Sequence, residues 1–394
     1  MKKTVAIIGG GPSALTAAAF LNPEQFDVII YERNKAVGRK FLVAGKGGFN
    51  LTHSEHIDDM ISRYSASPVL SDALKTFTNE DLRSWLAKIG VSTFIGSSKR
   101  VYPEKGIKPI EVLKAILEVL EANEVQIHFG KHWKGWDKNG DLLFESEEII
   151  SADYAIFSLG GGSWKVTGSD GSWLDTFSKK GIQTTSFLPA NCAYQVNWDE
   201  EFIQKAEGQP LKNIALQCDQ KRSKGELVIT KFGLEGNAIY SLSSEIQTQL
   251  SESGKAAVFM DLKPTLSIDK VIEKLSQSKK KTTDILKGEL KLSKTQIQLL
   301  KHILSKEEFL DKSVLAEKIK QLPIQLRSSA PIDEAISTTG GISFNALSEN
   351  FELKALKGTY CIGEMLDWNA PTGGYLLQAC FSMGYALAAC LNNK

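Results

Sequence analysis

Hydrophobic and polar positions follow strand-like and helix-like periods along this chain. Residues 5–8 form an apolar run that leads through a glycine-rich turn into a helix starting near Pro12, and a second apolar run covers 28–31. Helical spacing recurs around 81–89 and 110–121, followed by a strand at 125–129, a hairpin with its turn at 137–141 and a buried-type strand at 153–159. The pattern predicts an α/β fold that opens with a βαβ unit.

The pattern changes in the middle of the chain and then returns. Residues 33–53 are too glycine-rich for a regular element, short strands fill about 189–262, and helical spacing runs from 266 to 321. A strand at 359–362 and an apolar stretch at 375–391, which we interpret as a buried helix rather than a membrane span, restore the α/β character. We therefore predict a nucleotide-binding domain at 1–189 and 335–394, with a β-rich domain (190–264 and 322–334) and a helical subdomain (265–321) inserted into it.

Composition and charge are those of an ordinary soluble globular protein. The 394 residues carry a formal net charge of +1, which gives no reason to expect a nucleic-acid partner, although residues 254–321 hold 15 lysines, no arginine and nine acidic residues. The five cysteines include no CxxC pair, and this odd count favours a reducing cytoplasm over a disulfide framework. The first strand begins at Thr4, so we expect no signal peptide.

The turn between the first strand and the first helix has its glycines and small residues in the order of a dinucleotide-binding motif. Gly9 permits a tight turn after the strand, Gly11 lets the backbone approach a pyrophosphate, and Ala14 is small enough for the helix to pack on the sheet. The helix that starts at Pro12 and Ser13 would direct unpaired N–H groups at phosphate. Glu32 follows the second strand, where a carboxylate accepts ribose hydroxyls.

The C-terminal segment favours FAD over NAD. Gly363 and Glu364 end a strand and offer an acid for a ribityl chain, and Gly373 and Gly374 open a helix whose N–H groups suit the electron-rich edge of a flavin. An ordinary helix start with turn glycines is the alternative. No second GxGxxG follows in mid-chain, so a dedicated NAD(P) domain is not expected.

Several longer motifs resemble one family. They are Gly9–Ala14, the run 38–53, 158–164 with 167–171, 230–236, 335–341, and 363–368 with 373–375. On these motifs, which span nearly the whole chain, it resembles the bacterial YhiN/BaiN-like (BaiN/RdsA) family of NAD(P)/FAD-dependent flavoproteins. The resemblance implies a Rossmann-like FAD domain of glutathione-reductase type with inserted β-rich, barrel-like and α-helical domains. Many relatives have Arg-Cys where this chain has Gly48-Phe49, so it looks like a divergent branch.

The resemblance also implies the roles of individual residues. The pyrophosphate would be held by Gly9, Gly11, Pro12, Ser13 and Ala14, and the adenosine ribose by Glu32. The cofactor would further be lined by Arg33, Gly38, Arg39, Lys40, Gly45, Asn50, Leu51, Thr52, Gly160, Gly161 and Gly363. The backbone near Trp133 would meet the adenine, Glu364 the ribityl chain, and the helix start at Gly373, Gly374, Tyr375 and Leu376 the flavin. Two exposed cations on a surface turn remain the alternative for Arg39 and Lys40.

The chemistry is less determined than the cofactor. The family is associated with reduction of activated C=C bonds in steroid-like molecules, reduction of uridine in ribosomal RNA and oxidation of small amines. Asn50, His53 and Tyr375 are candidate catalytic residues, with a loop-capping role as the alternative for His53. We predict a non-covalent FAD oxidoreductase acting on a small or medium organic substrate, with NAD(P)H left open as a transient electron donor. The alternatives are a uridine-reducing RNA-modifying enzyme, an amine oxidase and a protein in which FAD is structural. We expect neither a metal ion nor a membrane as a partner, and the sequence does not determine the oligomeric state.

Overall fold

The computed structural model describes residues 1–43, 48–278 and 280–394. These residues divide into two compact units, one made of Met1–Leu188 and Ser337–Lys394 and the other of Pro189–Ile336. The second unit is therefore inserted between two segments of the first. The finer division of the insert into a β-rich domain and a helical subdomain stays a prediction.

The strands, in chain order, are β1 (Lys3–Ile8), β2 (Phe26–Glu32), β3 (Thr52–His53), β4 (Thr93–Ile95), β5 (Arg100–Pro103), β6 (Gln126–Phe129), β7 (Trp133–Trp136), β8 (Leu142–Phe144), β9 (Ile149–Ile150), β10 (Tyr154–Phe157), β11 (Thr184–Ala190), β12 (Tyr194–Gln195), β13 (Pro210–Cys218), β14 (Lys221–Ile229), β15 (Gly233–Glu235), β16 (Ala256–Asp261), β17 (Leu322–Leu326), β18 (Ser337–Ile342) and β19 (Thr359–Cys361).

The α-helices are α1 (Pro12–Phe20), α2 (Arg39–Val43), α3 (Ile57–Ile61), α4 (Pro68–Thr76), α5 (Asn79–Lys88), α6 (Pro109–Ala122), α7 (Leu174–Lys179), α8 (Glu200–Ala206), α9 (Asn237–Tyr240), α10 (Ser243–Ser253), α11 (Ile268–Gln277), α12 (Thr282–Gly288), α13 (Lys294–Ile303), α14 (Lys306–Leu310), α15 (Lys312–Lys320) and α16 (Tyr375–Asn392).

A parallel sheet organises the first unit. Its strand order is β19-β10-β1-β2-β6, and each neighbouring pair is parallel. β1 lies at the centre because its last four residues, 5–8, are buried on both faces, which is typical of a strand covered by helices on both sides. The carboxyl ends of these strands meet at one edge, which is where α/β sheets bind ligands. The predicted Rossmann-like arrangement is confirmed.

The first and last helices of this unit pack backbone to backbone. Gly384, in the middle of α16, has no room for a side chain, because a Cβ there would lie 2.6 Å from the Ser13 carbonyl oxygen and 2.8 Å from Cβ of Thr16. The small buried alanines of α1 allow the same close approach from the other side. The predicted buried helix at 375–391 is confirmed as α16, and no helix in the described parts of the chain is long and apolar enough to cross a membrane.

The second unit combines an antiparallel sheet with a run of helices. The sheet has the order β12-β15-β14-β13-β16-β17, and a separate apolar core of buried Leu, Ile, Val and aromatic side chains packs it together. Helices α11 to α15 fill residues 268–320, which confirms the helical spacing seen in the sequence. Helices α8, α9 and α10 interrupt the stretch 189–262, which the sequence pattern describes as strands and turns alone.

The glycine-rich run 33–53 departs from expectation, because it contains regular structure. Helix α2 forms where Lys40 and Leu42 favour a helix and Phe41 is buried, and β3 forms by antiparallel pairing of Thr52 and His53 with β5. The prediction that no regular element forms here is wrong, since these tertiary contacts override the local glycine content. Gly45 lies outside the described residues.

Candidate functional site

The turn after β1 has the steric form that its glycines predict. Gly9 has φ +102°, and a Cβ there would lie 2.4 Å from the Ser158 carbonyl oxygen, so only glycine fits. Gly11 is different, because its backbone is extended and no heavy atom lies within 4 Å of the position of a Cβ. Gly11 therefore leaves open space directly beside the N-terminus of α1, which carries proline at its start and no acidic residue in its first turn.

That open space belongs to a cavity of about 360 Å³ in the first unit. It is lined by segments at the sheet edge, namely 8–13, 31–34, 38–41, 131–134, 158–160 and 167–170. The predicted cofactor residues that line it are Gly9, Gly11, Pro12, Ser13, Glu32, Arg33, Gly38, Arg39, Lys40, Trp133, Gly160 and Glu364. The cavity therefore brings together most of the residues assigned to the adenosine, pyrophosphate and ribityl parts of the cofactor.

Glu32 braces the glycine turn. One of its carboxylate oxygens accepts from the Gly10 amide at 2.8 Å, and the other accepts from the backbone N–H and the side-chain amide of Asn34 at 2.8 and 2.7 Å. Glu32 is only 8% exposed. Since a carboxylate offers about four lone-pair sites, these contacts leave room for one further donor from a ligand hydroxyl. Asn34 has no predicted role, although its position two residues after Glu32 is a signal for this contact.

The cations around the cavity already have protein partners. Lys40 donates to Glu364 at 3.0 Å and to the Ser163 hydroxyl at 3.0 Å, which ties the predicted ribityl acid to the start of α2. Arg33 pairs with Asp170 at 2.9 Å. Burial acts to raise the pKa of the Asp170 carboxyl, but the hydrogen bonds from Arg33 and Ser172 and the charge of Arg33 together outweigh it and hold the pKa below its ordinary value.

Two further groups on the cavity wall bear on ligand binding. Trp133 packs edge-on against Trp136 and Phe157, and its indole N–H is buried with no partner in the described part of the chain. A buried, unpaired donor of this kind is costly unless a ligand accepts from it. Cys380 also lines the cavity, and desolvation raises the pKa of its thiol to about 12, so it is a neutral thiol at physiological pH.

Several of the remaining predicted residues form a second cluster at the start of α16. Gly374 has φ +103°, and a Cβ there would lie 2.4 Å from the backbone of Thr52, so β3 lies directly against the helix start. Leu51 and Thr52 are fully buried, and the Thr52 hydroxyl has no partner within the described ranges. The position of a Cβ on Gly373 lies 3.3 Å from Nε of Arg100. Ala14, Asn50, Gly161, Gly363 and Leu376 also lie outside the cavity lining.

Tyr375 is part of a hydrogen-bonded group that sequence reasoning missed. Its hydroxyl donates to Glu55 at 2.6 Å, and Arg63 donates to the same carboxylate at 3.2 and 3.4 Å. Burial and this contact with Glu55 raise the pKa of Tyr375. Burial acts to raise the pKa of Glu55, but hydrogen bonds from Arg63 and Tyr375 outweigh it, so the pKa lies below its ordinary value. Tyr375 is thus neutral and Glu55 ionised at neutral pH.

His53 stacks on the Tyr375 ring with centroids 5.2 Å apart. The Glu55 amide N–H donates to Nδ1 at 3.3 Å, which leaves the proton of a neutral ring on Nε2, where it donates to the Ser98 carbonyl at 3.2 Å. Burial lowers the pKa of His53, and Arg100 acts in the same direction against the opposing Glu55. Both ring nitrogens are therefore engaged, which suits the loop-capping alternative, while the catalytic assignment of His53 stays a prediction.

A parallel sheet with a glycine turn, an acid on the second strand and a cavity at the strand ends defines a Rossmann-type nucleotide-binding protein. Residues 3–390 match the family described as HI0933-like protein Rossmann domain, and the chain belongs to that family. It is 25% identical to a 3-dehydro-bile acid delta(4,6)-reductase of Clostridium scindens over 97% of each chain, and 23% identical to a ribosomal RNA dihydrouridine synthase of Haemophilus influenzae over 98% of each.

The fold is also that of a solved dehydrogenase. A 3-ketosteroid delta1-dehydrogenase from Sterolibacterium denitrificans superposes with a TM-score of 0.52, covering 100% of both chains at 11% identity. The expectations of a flavoprotein fold, of membership in this family and of a flavin-dependent oxidoreductase are confirmed. The assignment of individual site residues stays a prediction.

Proposed function

We propose that the protein binds FAD non-covalently, with the adenosine and pyrophosphate parts in the 360 Å³ cavity, and reduces an activated C=C bond in a small or medium organic substrate. The empty space beside Gly11 is the observation that supports FAD binding, because a phosphate can approach the backbone N–H groups there, at the N-terminus of α1. The relative named as a bile acid reductase, similar over nearly the full length of both chains, supports the substrate part.

The described residues fit such a cofactor. The Gly11 turn and the α1 N-terminus would hold the pyrophosphate, the free lone pair of Glu32 a ribose hydroxyl, and the unpaired indole N–H of Trp133 an acceptor on the adenosine side. Glu364 would accept from the ribityl hydroxyls while Lys40 balances its charge. When bound, the flavin supplies two-electron hydride chemistry that amino-acid side chains lack.

The protein's own part is to keep the protonation states at the α16 start fixed. Tyr375 keeps its hydroxyl proton, Glu55 stays ionised against Arg63, and His53 stays neutral. Both possible bases of the cluster, the ionised Glu55 and the neutral His53 ring, are engaged by hydrogen bonds from protein groups. The five cysteines are all free thiols, which supports a reducing compartment such as the cytoplasm.

Reconstitution followed by stopped-flow reduction tests this proposal. Purified protein is titrated with FAD, and the bound flavin is then mixed anaerobically with NADH, NADPH or a panel of small amines. Bleaching by a nicotinamide, followed by reoxidation on adding a 3-keto-4-ene steroid, is the expected result. Protein that takes up no FAD refutes the proposal as a whole, and bleaching by an amine with oxygen as the acceptor refutes the reductase assignment in favour of an amine oxidase.

A uridine-reducing RNA-modifying enzyme is the second candidate, because the chain is 23% and 20% identical to proteins named ribosomal RNA dihydrouridine synthase. Lysines of the helical insert would supply phosphate contacts, although Lys280 lies 3.0 Å from Glu289 and Lys279 falls outside the described residues. Binding of ribosomal RNA with a steep dependence on salt would support this candidate. Weak binding that is insensitive to salt would refute it, since phosphate contacts release counterions.

A further inference from the structure

Residues 163–170 form a short, sharply folded segment along one side of the cavity. Trp164 has a left-handed backbone with φ 64° and ψ 57°, a single turn of 3₁₀-helix covers Lys165–Thr167, and Gly168 has φ 105°. Residues 167–170 line the cavity, while the side chain of Val166 is 75% exposed on the outside. A left-handed backbone is strained for a non-glycine residue unless its surroundings hold it in place, so contacts with neighbouring residues must hold this segment.

Arg33, which follows β2, and Arg39, the first residue of α2, provide contacts that hold it. Arg33 donates through one nitrogen to Asp170 at 2.9 Å and through the other to the carbonyl oxygen of Gly168. Arg39 donates to the Val166 carbonyl oxygen at 2.7 Å. Both guanidinium groups therefore bind residues 166–170 by geometrically fixed donors, a task for which a lysine ammonium is less suited.

These contacts continue into the glycine turn. The second guanidinium nitrogen of Arg39 donates to the side-chain oxygen of Asn34 at 2.6 Å, and the Asn34 amide donates to Glu32, which accepts in turn from the Gly10 amide. An unbroken chain of hydrogen bonds thus runs from the turn that would receive the phosphates to the carbonyl of Val166. Removal of Arg39 breaks this chain while the Glu32 brace stays intact.

We propose that residues 163–170 act as a clasp on the cavity and that Arg33 and Arg39 are positioning residues that set how slowly the cofactor leaves. The inference rests on the proposed function, because it assigns the cavity to FAD. It differs from the expectation that Arg39 lines the cofactor, since both of its terminal nitrogens are engaged by protein oxygens. Opening the clasp breaks the hydrogen bonds of both arginines, so the cofactor is retained kinetically rather than by direct contact with these cations.

The rate of FAD release should depend on salt, because the Arg33–Asp170 ion pair is partly exposed to solvent. The side chains of Arg33 and Asp170 are 25% and 28% exposed, so ions in solution screen part of their attraction. FAD release from the wild-type protein should accelerate as ionic strength rises. The same acceleration should be smaller in Asp170→Asn, because the charged partner of Arg33 has already been removed.

The test compares Arg39→Gln and Asp170→Asn with the control Arg83→Gln, an arginine of the same unit that pairs with Glu80 away from the cavity. FAD release is followed by the recovery of its fluorescence after stopped-flow dilution. We expect release about tenfold faster in both clasp variants, which corresponds to about 1.4 kcal/mol, and unchanged in the control. Arg39→Lys should restore part of the wild-type rate, because its ammonium keeps one donor nitrogen where the guanidinium uses two.

Hydrogen exchange of the cofactor-free protein gives a second reading that does not depend on FAD. Amides within 163–170 should exchange faster in Arg39→Gln than in the wild type or the control, while the thermal midpoint stays within about 2 °C. Wild-type release rates together with unchanged exchange in the clasp variants would overturn the inference. Failure of the wild type to bind FAD would instead overturn the proposed function, and exchange alone would then decide whether the arginines hold the segment.

Discussion

Replacing Gly11 with alanine separates the fold of the glycine turn from its role in binding. Gly11 has φ −83° and ψ 177°, values that alanine adopts freely, and its Cβ would have no heavy atom within 4 Å. As the N-cap of α1, alanine costs about 0.5–1 kcal/mol, and the smaller entropy of the unfolded chain returns about 0.4–1 kcal/mol. The free energy of unfolding should therefore change by less than about 1 kcal/mol.

Cofactor binding should respond much more strongly to the same methyl group. The group occupies the space at the α1 N-terminus through which a phosphate would approach the backbone N–H groups. Loss of one charge-assisted hydrogen bond costs about 1.5–3 kcal/mol, which raises the dissociation constant of FAD by about 10- to 100-fold.

Calorimetric titration of FAD and urea unfolding of the cofactor-free protein measure the two effects. Gly288→Ala is a matched control, because Gly288 is also free of positive φ and also has no heavy atom near the position of a Cβ, but it lies in α12 of the other unit. Its FAD affinity should equal that of the wild type. If Gly11→Ala binds FAD as tightly as Gly288→Ala does, the pyrophosphate does not lie at this turn and the assignment of the cavity is wrong.

Three further predictions concern the turn and the α16 start. Gly9→Ala should destabilise the protein by about 3 kcal/mol in urea unfolding, since it combines positive φ with a backbone collision at Ser158; a loss below about 0.5 kcal/mol would contradict the geometry. The Glu55 pKa is lowered on folding, so this carboxyl contributes stability above its ordinary pKa of 4.5 that is lost as pH falls through the lower folded value. Glu55→Gln should flatten the acid limb of a stability profile, and an unchanged limb would show that Arg63 and Tyr375 do not hold the charge. The pKa of His53 should lie below 6.5 in an NMR titration, with the proton of the neutral ring on Nε2, and stability linked to this ring should fall as pH drops from 6.5 towards the lower folded value; a titration midpoint above 6.5 would refute the predicted environment.

The sequence predicts the site best where the role of a residue depends on the space available to it within one short segment. Gly9, Gly11 and Glu32 lie within one βαβ unit, and their steric tasks follow from the strand, turn and helix that flank them. Gly374 was likewise recognisable as the start of a helix. The parallel sheet and the insertion could be predicted because apolar periodicity changes sharply at both ends of the inserted unit.

Contacts between distant segments could not be predicted in the same way. The partner of Arg39 at Val166 lies 127 residues away, and the partner of Tyr375 at Glu55 lies 320 residues away. A cation on a glycine-rich turn is compatible with phosphate, solvent or a neighbouring carbonyl until the fold brings one of them near. For this reason Arg39 was assigned to the cofactor, whereas Glu55, Asn34 and Asp170 received no role.

The close contact of α16 with α1 has a consequence for biosynthesis. The Gly384 backbone lies against Ser13 and Thr16, so the helix behind the glycine turn acquires its packing surface only when residues 375–392 have left the ribosome. The inserted unit has a separate apolar core and is translated earlier. On a nascent chain, therefore, residues 189–336 complete their core first, and the nucleotide-binding unit must keep its N-terminal half unfinished until its last helix arrives.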